Sequence, residues 1–164
     1  MLIDSTIDLV KDSAIKRPTK SFINKLKLRF RCDSAFSSTY SYSTLGGYDT
    51  VQFYDSNGND VLVTKPAYAY MYGTGFYNYV NGFDSTAAYA TNGGYDQAQL
   101  YDSTGSDVVE TNNSYAKITV GSTGYDHRAV YFDEVDAWST KGGTDTVNEL
   151  GALDFIFGEF GNWI

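Results

Sequence analysis

The feature that most restricts how this chain can fold is an internal repeat. Gly46-Gly47-Tyr48-Asp49 returns 47 residues later as Gly93-Gly94-Tyr95-Asp96, and after a further 49 as Gly142-Gly143-Thr144-Asp145. The stretches that follow the first two match closely, GGYDTVQFYDSNGNDVLVT against GGYDQAQLYDSTGSDVVET. The later parts match as well, FDSTAAYATNGG (83–94) against FDEVDAWSTKGG (132–143), and AFSSTYSYSTLGG (35–47) fits the same frame. Phe36, Phe83 and Phe132 then share one column of the alignment, Tyr42, Tyr89 and Trp138 another, and Tyr54 and Tyr101 a third. A fixed period of this length is the mark of stacked structural units, each burying its apolar face against the next.

A finer beat of about twelve residues runs inside the repeat, carried by Asp49, Asp60, Asp84, Asp96, Asp107, Asp133, Asp145 and Asp154. Several of these acids follow a glycine by two positions, and glycine is the residue that turns the chain through positive φ. Between the acids lie short alternating runs such as TVQFY, VLVT, AYAYMYG, STAAY, QAQLY and HRAVYF, in which every second residue points to one face. Strand and corner at constant pitch predict an all-β fold, a parallel β-solenoid of about five coils with two coils per 47–49-residue unit. An antiparallel β-barrel or sandwich is the alternative, because tight turns at the same spacing give a similar pattern. Recurrence of the same side chains in the same columns favours the solenoid, where they would stack as ladders about 4.8 Å apart.

The ends break the pattern, and the division expected is a cap over 1–32, repeats over 33–154 and an aromatic cap over 155–164. Leu2, Ile3, Ile7, Val10 and Ala14 have helical spacing before Pro18. At the other end Phe155, Phe157, Phe160 and Trp163 replace the next corner. Such caps are what a stack of strands needs to protect its open edges.

Charge divides the chain at the same place. Residues 1–32 hold eight Lys/Arg against three Asp, and residues 33–164 hold four against 17 acids, giving −8 overall. A body this acidic repels nucleic acid. The basic segment suits either a cap strand with one wet face or head-to-tail self-association with the acidic body of another copy. No apolar run approaches the length of a membrane-spanning helix. The N-terminal residues carry acids where a signal peptide carries bases, leaving a cytoplasmic protein, another export route or a fragment as the settings. Cys32, the single cysteine, rules out an intrachain disulfide.

Two roles fit the corner acids. Asp49, Asp60, Asp84, Asp96, Asp107, Asp133 and Asp145 either shape turns or, with turn carbonyls of successive coils, supply oxygen ligands to calcium. Tyr54, Tyr89, Tyr101 and Trp138 either pack as ladders or offer ring faces to a glycan or other surface polymer. Tyr68, Tyr70, Tyr72, Tyr77 and Tyr79 crowd one further segment. His127, the single histidine, cannot build a multi-histidine metal site, and no Gly-x-Ser-x-Gly elbow accompanies it. Asp133, Glu134 and Asp136 form an acidic cluster open to glycosidase or calcium chemistry, or to simple solvation.

YDSNGND (54–60), YDSTGSD (101–107) and NGFDSTAAYATNGGYD (81–96) resemble tandem repeats of large secreted planctomycete-type bacterial proteins. More distantly, the Gly-Gly-x-Asp corners resemble RTX calcium-binding β-rolls, although the third glycine is absent and the pitch is twelve rather than nine. The likeness covers roughly residues 35–155. It implies an extracellular or cell-surface accessory module, loosely associated with calcium, and no activity. The function expected is thus a non-catalytic structural or adhesive repeat module, with a carbohydrate-binding or carbohydrate-active β-helix as the alternative.

Overall fold

The computed structural model describes residues 27–30, 37–44 and 47–164. The helix expected over residues 2–15 and the Phe36 column position lie outside them. Fourteen strands follow in chain order: β1 (Lys27–Phe30), β2 (Ser37–Tyr42), β3 (Thr50–Tyr54), β4 (Val61–Lys65), β5 (Tyr68–Gly73), β6 (Phe76–Asn81), β7 (Ser85–Tyr89), β8 (Gln97–Tyr101), β9 (Val108–Asn112), β10 (Tyr115–Thr119), β11 (Asp126–Val130), β12 (Glu134–Ser139), β13 (Thr146–Glu149) and β14 (Ile156–Gly161). No helix occurs among the described residues. The expectation of an all-β chain therefore holds throughout them.

The strands form two open sheets of seven, ordered β1-β3-β7-β11-β10-β9-β13 (sheet I) and β14-β12-β8-β4-β5-β6-β2 (sheet II). Eight strand pairs are parallel, and the antiparallel ones are confined to β4-β5-β6 and β9-β10-β11. Each of those two meanders is a local excursion within one sheet. Neither sheet closes on itself as a barrel would.

The meanders set the pitch. Where the chain makes a bare circuit, the neighbouring strand lies 22 or 23 residues on: Glu134 pairs with Ile156 and Lys27 with Thr50. Where a circuit includes a meander the interval grows, as for Thr50 with Ser85 (35 residues) and Ser85 with Asp126 (41 residues). Two coils per 47–49-residue unit would require about 24 residues throughout; the end pairs come near it at 22 and 23, whereas the other six parallel pairs join residues 35–41 apart.

The 47-residue unit has a further property that its sequence conceals. The first unit, β3 to β7, crosses between sheets at β3–β4, at β6–β7 and again on leaving for β8. Three crossings are an odd number, so the next unit starts in the opposite sheet. Matching strands β3, β8 and β13 accordingly lie in sheets I, II and I. Residues that share a column in the sequence do not stack on one another; the stacked neighbour comes from a different part of the adjacent unit.

Side-chain alternation fixes which face each sheet buries. Val51 and Phe53 of β3, Ala98 and Leu100 of β8, Val109 of β9, Ala116 and Ile118 of β10 and Val135 and Ala137 of β12 are buried between the sheets, while their neighbours in the same strands face outward. Phe83 and Phe132, which precede β7 and β12, close the same core. Phe155, Phe157 and Trp163 pack half-buried against it at the C-terminal end, where the Trp163 indole donates to the Ala137 carbonyl at 3.1 Å.

Candidate functional site

The seven predicted corner acids fall into three columns, each at the starts of stacked strands. Asp49 and Asp84 stand before β3 and β7, Asp60, Asp96 and Asp133 before β4, β8 and β12, and Asp107 and Asp145 before β9 and β13. Within a column each carboxylate after the first accepts the backbone N–H of the aspartate before it in the column. Asp84 takes the N–H of Asp49 at 2.7 Å, Asp96 that of Asp60 at 2.8 Å, Asp133 that of Asp96 at 2.7 Å and Asp145 that of Asp107 at 2.8 Å. Turn shaping is thus only part of their role, because these bonds join strand starts 35–38 residues apart. An N–H at a strand start has no ladder partner, and a charged acceptor from the next layer satisfies it.

Two of these acids also tie down a local turn. Asp60 accepts the Ser56 N–H and hydroxyl, and Asp107 accepts the Ser103 N–H at 2.7 Å and hydroxyl at 2.9 Å, which accounts for the YDSxGxD signature. Asp107 additionally takes the Gly121 N–H at 2.7 Å and is fully buried. Burial pushes the Asp60 and Asp96 carboxyls up, the latter to about 6 with the charges of Asp60, Asp55 and Asp133 adding to the effect. Among the described residues, no group of three or more His, Cys, Asp or Glu side chains is arranged to hold a metal ion.

The aspartates that open the two YDSxGxD segments, Asp55 and Asp102, are not among the acids expected from the twelve-residue beat. Both are buried. Asp55 accepts the Asn92 N–H at 2.6 Å and side-chain amide at 2.8 Å, and Asp102 accepts the Thr140 N–H at 2.6 Å together with that of Lys141. Their recurrence in both repeats was the available signal.

The glycine pairs explain themselves against those turns. Gly94 (φ 114°) and Gly143 (φ 102°) lie on the carbonyls of Gly58 and Gly105 in the adjacent layer, where an added Cβ would sit 2.4 and 2.0 Å from oxygen. Backbone touches backbone there, and no side chain fits.

The four predicted ligand-binding aromatics divide between the two outer faces. Tyr54 and Tyr89 stack at 5.3 Å on sheet I, and Tyr101 and Trp138 at 5.9 Å on sheet II. This split is a consequence of the sheet exchange between units. Sheet II then carries far more than this pair. Register places Phe160, Trp138 and Tyr101 in one row, with Phe160 and Trp138 face to face at 4.2 Å and the Lys65 ammonium over the Tyr101 ring. The row continues through Tyr68, which is paired with Lys65. Beside it Tyr70, Tyr79 and Tyr40 are in register, and beyond them Tyr72 and Tyr77.

The tyrosines of β2, β5 and β6 form a connected set with centroids 5.5–6.4 Å apart. Tyr40 and Tyr42 remain 59% and 60% exposed. Burial, followed by the neighbouring phenols, raises the pKa values of Tyr70 and Tyr77. The aromatic band of sheet II thus has two parts, Phe160, Trp138 and Tyr101 on β14, β12 and β8 and the tyrosines on β5, β6 and β2, with Lys65 of β4 between them.

Acids interrupt the band at β12, whose outer face carries Glu134, Asp136 and Trp138. Glu134 accepts the Gln97 amide at 2.7 Å and the Tyr95 hydroxyl at 3.1 Å. Asp136 accepts no hydrogen bond among the described residues, and neither acid has an ion-pair partner among them. Burial, with the charge of Glu134, holds the Asp136 carboxyl above its usual range. Asp133, the third member of the acidic cluster in the sequence, belongs instead to the strand-start column.

His127 sits in the core, 1% exposed, in register with Thr86 and Ile118. Its ring nitrogens, like the Thr86 hydroxyl, find no partner at hydrogen-bonding geometry, although the Lys65 backbone lies close enough to favour the protonated ring weakly. Burial wins and lowers its pKa to about 4. No helix among the described residues is long and apolar enough to cross a membrane.

Comparison with known protein families, with curated proteins and with solved structures finds no match to this chain.

Proposed function

We propose that this chain is a non-catalytic β-solenoid module with a structural or adhesive role outside the cell or at its surface, making contact through the outer face of sheet II. The two sheets are, in this reading, faces of a parallel solenoid whose interior coils are enlarged by meanders. Mainly parallel pairing and in-register aspartate columns support it. The observation that carries the function is the aromatic band of sheet II, since a half-exposed aromatic face gives contact area at low entropic cost. The carboxylates of the strand-start columns support a structural task, because they are engaged by backbone N–H groups rather than opposed across a cleft.

Calcium belongs to this reading as a stabiliser. Asp60, Asp96 and Asp133 bring three carboxylates into one column, and burial first, then the repulsion of the neighbouring Asp60, Asp55 and Asp133, raises the Asp96 pKa. A divalent cation would relieve that repulsion.

The test is adsorption of labelled protein to a panel of polysaccharide, mineral and hydrophobic surfaces, beside a variant carrying Tyr40→Ser, Tyr42→Ser and Tyr72→Ser. Adsorption that falls in the folded variant is expected. Equal adsorption of both, or release of reducing ends from any polysaccharide, overturns the proposal.

A further inference from the structure

Sheet II ends in two strands whose outer edges have no partner among the described residues, β14 at one end and β2 at the other. Ile156 and Asn162 donate their N–H groups to Asp133 and Ser139 on the β12 side. Alternation therefore turns the N–H and C=O groups of Phe157, Glu159 and Gly161 to the open edge. On the β2 side Ser43 donates to Asn81, which leaves the groups of Ser38, Tyr40 and Tyr42 facing the other open edge. Proteins commonly blunt such edges with Lys, Pro or a bulge. Neither IFGEFG nor SSTYSY carries Lys or Pro, and the two strands are equally long at six residues each. The edge of β13, in contrast, is taken at Asp145 and Val147 by Trp163 and Ile164.

Strand direction matches as well. β14, β12, β8 and β4 run parallel, β5 reverses, and β6 and β2 return to the first direction. The two reversals cancel, so β14 and β2 point the same way. A second copy set on the first by repeating the layer step lays its β2 against β14 as one more parallel strand. Phe160 of one copy then shares an outer face with Tyr40 and Tyr42 of the next. Apolar exposure is concentrated at the same end. Among the described residues, the exposed large hydrophobics other than tyrosine are Leu150, Ile156, Phe160 and Ile164. Charge is complementary between the ends: residues 142–164 hold four acids and no Lys or Arg, whereas residues 1–32 hold eight Lys/Arg against three Asp.

We propose that a second copy of this chain docks head to tail, its β2 adding to the open edge of β14. A heterologous contact of this kind does not close on itself, so it repeats into a filament. The inference concerns the ends of the stack and is independent of the outer-face contact proposed above.

Sedimentation velocity of the full chain at rising concentration is the test. The average mass is expected to climb beyond about twice that of the monomer with no plateau at the dimer, and to fall in high salt. Glu159→Pro removes an N–H that faces the open edge, so it breaks no bond within the sheet while blocking β14. Ser38→Pro does the same to β2. Each variant alone should stay monomeric. Their equimolar mixture should form a dimer and stop there, because one open β14 and one open β2 remain. Circular dichroism and thermal melting establish that the variants are folded. Glu159→Lys blocks β14 without altering the backbone, by facing the basic N-terminal segment with a like charge, and should weaken association about tenfold or more. A wild type that is monomeric at every concentration overturns the proposal, whether residues 1–26 or another protein covers the edge. Association of either proline variant alone overturns the strand edges as the contact, and a mixture that stays monomeric overturns head-to-tail pairing.

Discussion

Replacing Asp107 tests the idea that the strand-start aspartates hold their turns in place. Its two oxygens accept three donors, the Ser103 N–H and hydroxyl and the Gly121 N–H, all within 2.7–2.9 Å and shielded from solvent. In Asp107→Ala the Ser103 hydroxyl rotates away, but the two backbone N–H groups cannot move without unfolding their turns. Each buried orphan donor costs about 1–3 kcal/mol, so the expected loss is about 4 kcal/mol. For a chain of this size that corresponds to a fall in Tm of roughly 8–16 °C. Asp107→Asn keeps one acceptor and turns an NH2 towards the other donor, and should cost about half as much. Urea and thermal unfolding by circular dichroism measure both. Asp154→Ala, at an exposed acid of the same twelve-residue beat, is the reference and should stay within about 0.5 kcal/mol of wild type. If Asp107→Ala melts within about 2 °C of Asp154→Ala, the carboxylate is not holding these turns and the reasoning fails.

Other expectations follow from the same geometry. His127 has a folded pKa near 4 against 6.5 unfolded, so its contribution is present above pH 6.5 and is lost as pH falls through 4. The full loss is about 3 kcal/mol, and unfolding free energies between pH 8 and 4 should show that slope in wild type and not in His127→Leu. Asp96 acts in the opposite sense: its pKa is raised to about 6, so its contribution is present below 3.8 and lost as pH rises through 6. Asp96→Asn should therefore remove a stabilisation on acidification over that window, seen in the same titration. Gly94→Ala forces a Cβ against the Gly58 carbonyl and should cost at least 2 kcal/mol more than Gly93→Ala, which meets open space and only backbone strain of about 1–2 kcal/mol. Millimolar calcium should raise the melting midpoint by a few degrees relative to chelator, and Asp96→Asn should blunt the rise; an unchanged midpoint removes calcium from the account.

Much of the strand pattern was legible because alternation is a local property. TVQFY, VLVT, QAQLY and HRAVYF reveal their buried face through every second residue, and β3, β4, β8 and β11 form there. Stacking was not legible, since it depends on how often the chain crosses between sheets. AYAYMYG reads as a further coil strand, yet it turns back on β4 and, with FYNYVN after it, forms a meander that lengthens the circuit. One consequence is that Tyr54 meets Tyr89 rather than a counterpart in the next repeat. The aspartate columns were half visible: Gly-x-Asp marked the strand starts, while the bonds that justify the acids run to another layer. The aromatic band was the least visible feature, because Tyr40, Tyr70, Trp138 and Phe160 come from four distant segments that only register brings onto one face.

The exchange of sheets between successive units positions everything else, and one distance tests it. Gln52 and Gln99 occupy the same place in the two repeats, in β3 of sheet I and β8 of sheet II. Spin labels attached through Gln52→Cys and Gln99→Cys, with Cys32→Ser, report their separation by dipolar EPR. With sheets roughly 10 Å apart and both labels pointing outward, the account predicts about 25 Å or more. Labels two layers apart on one shared face would give about 10 Å, and that result would contradict it.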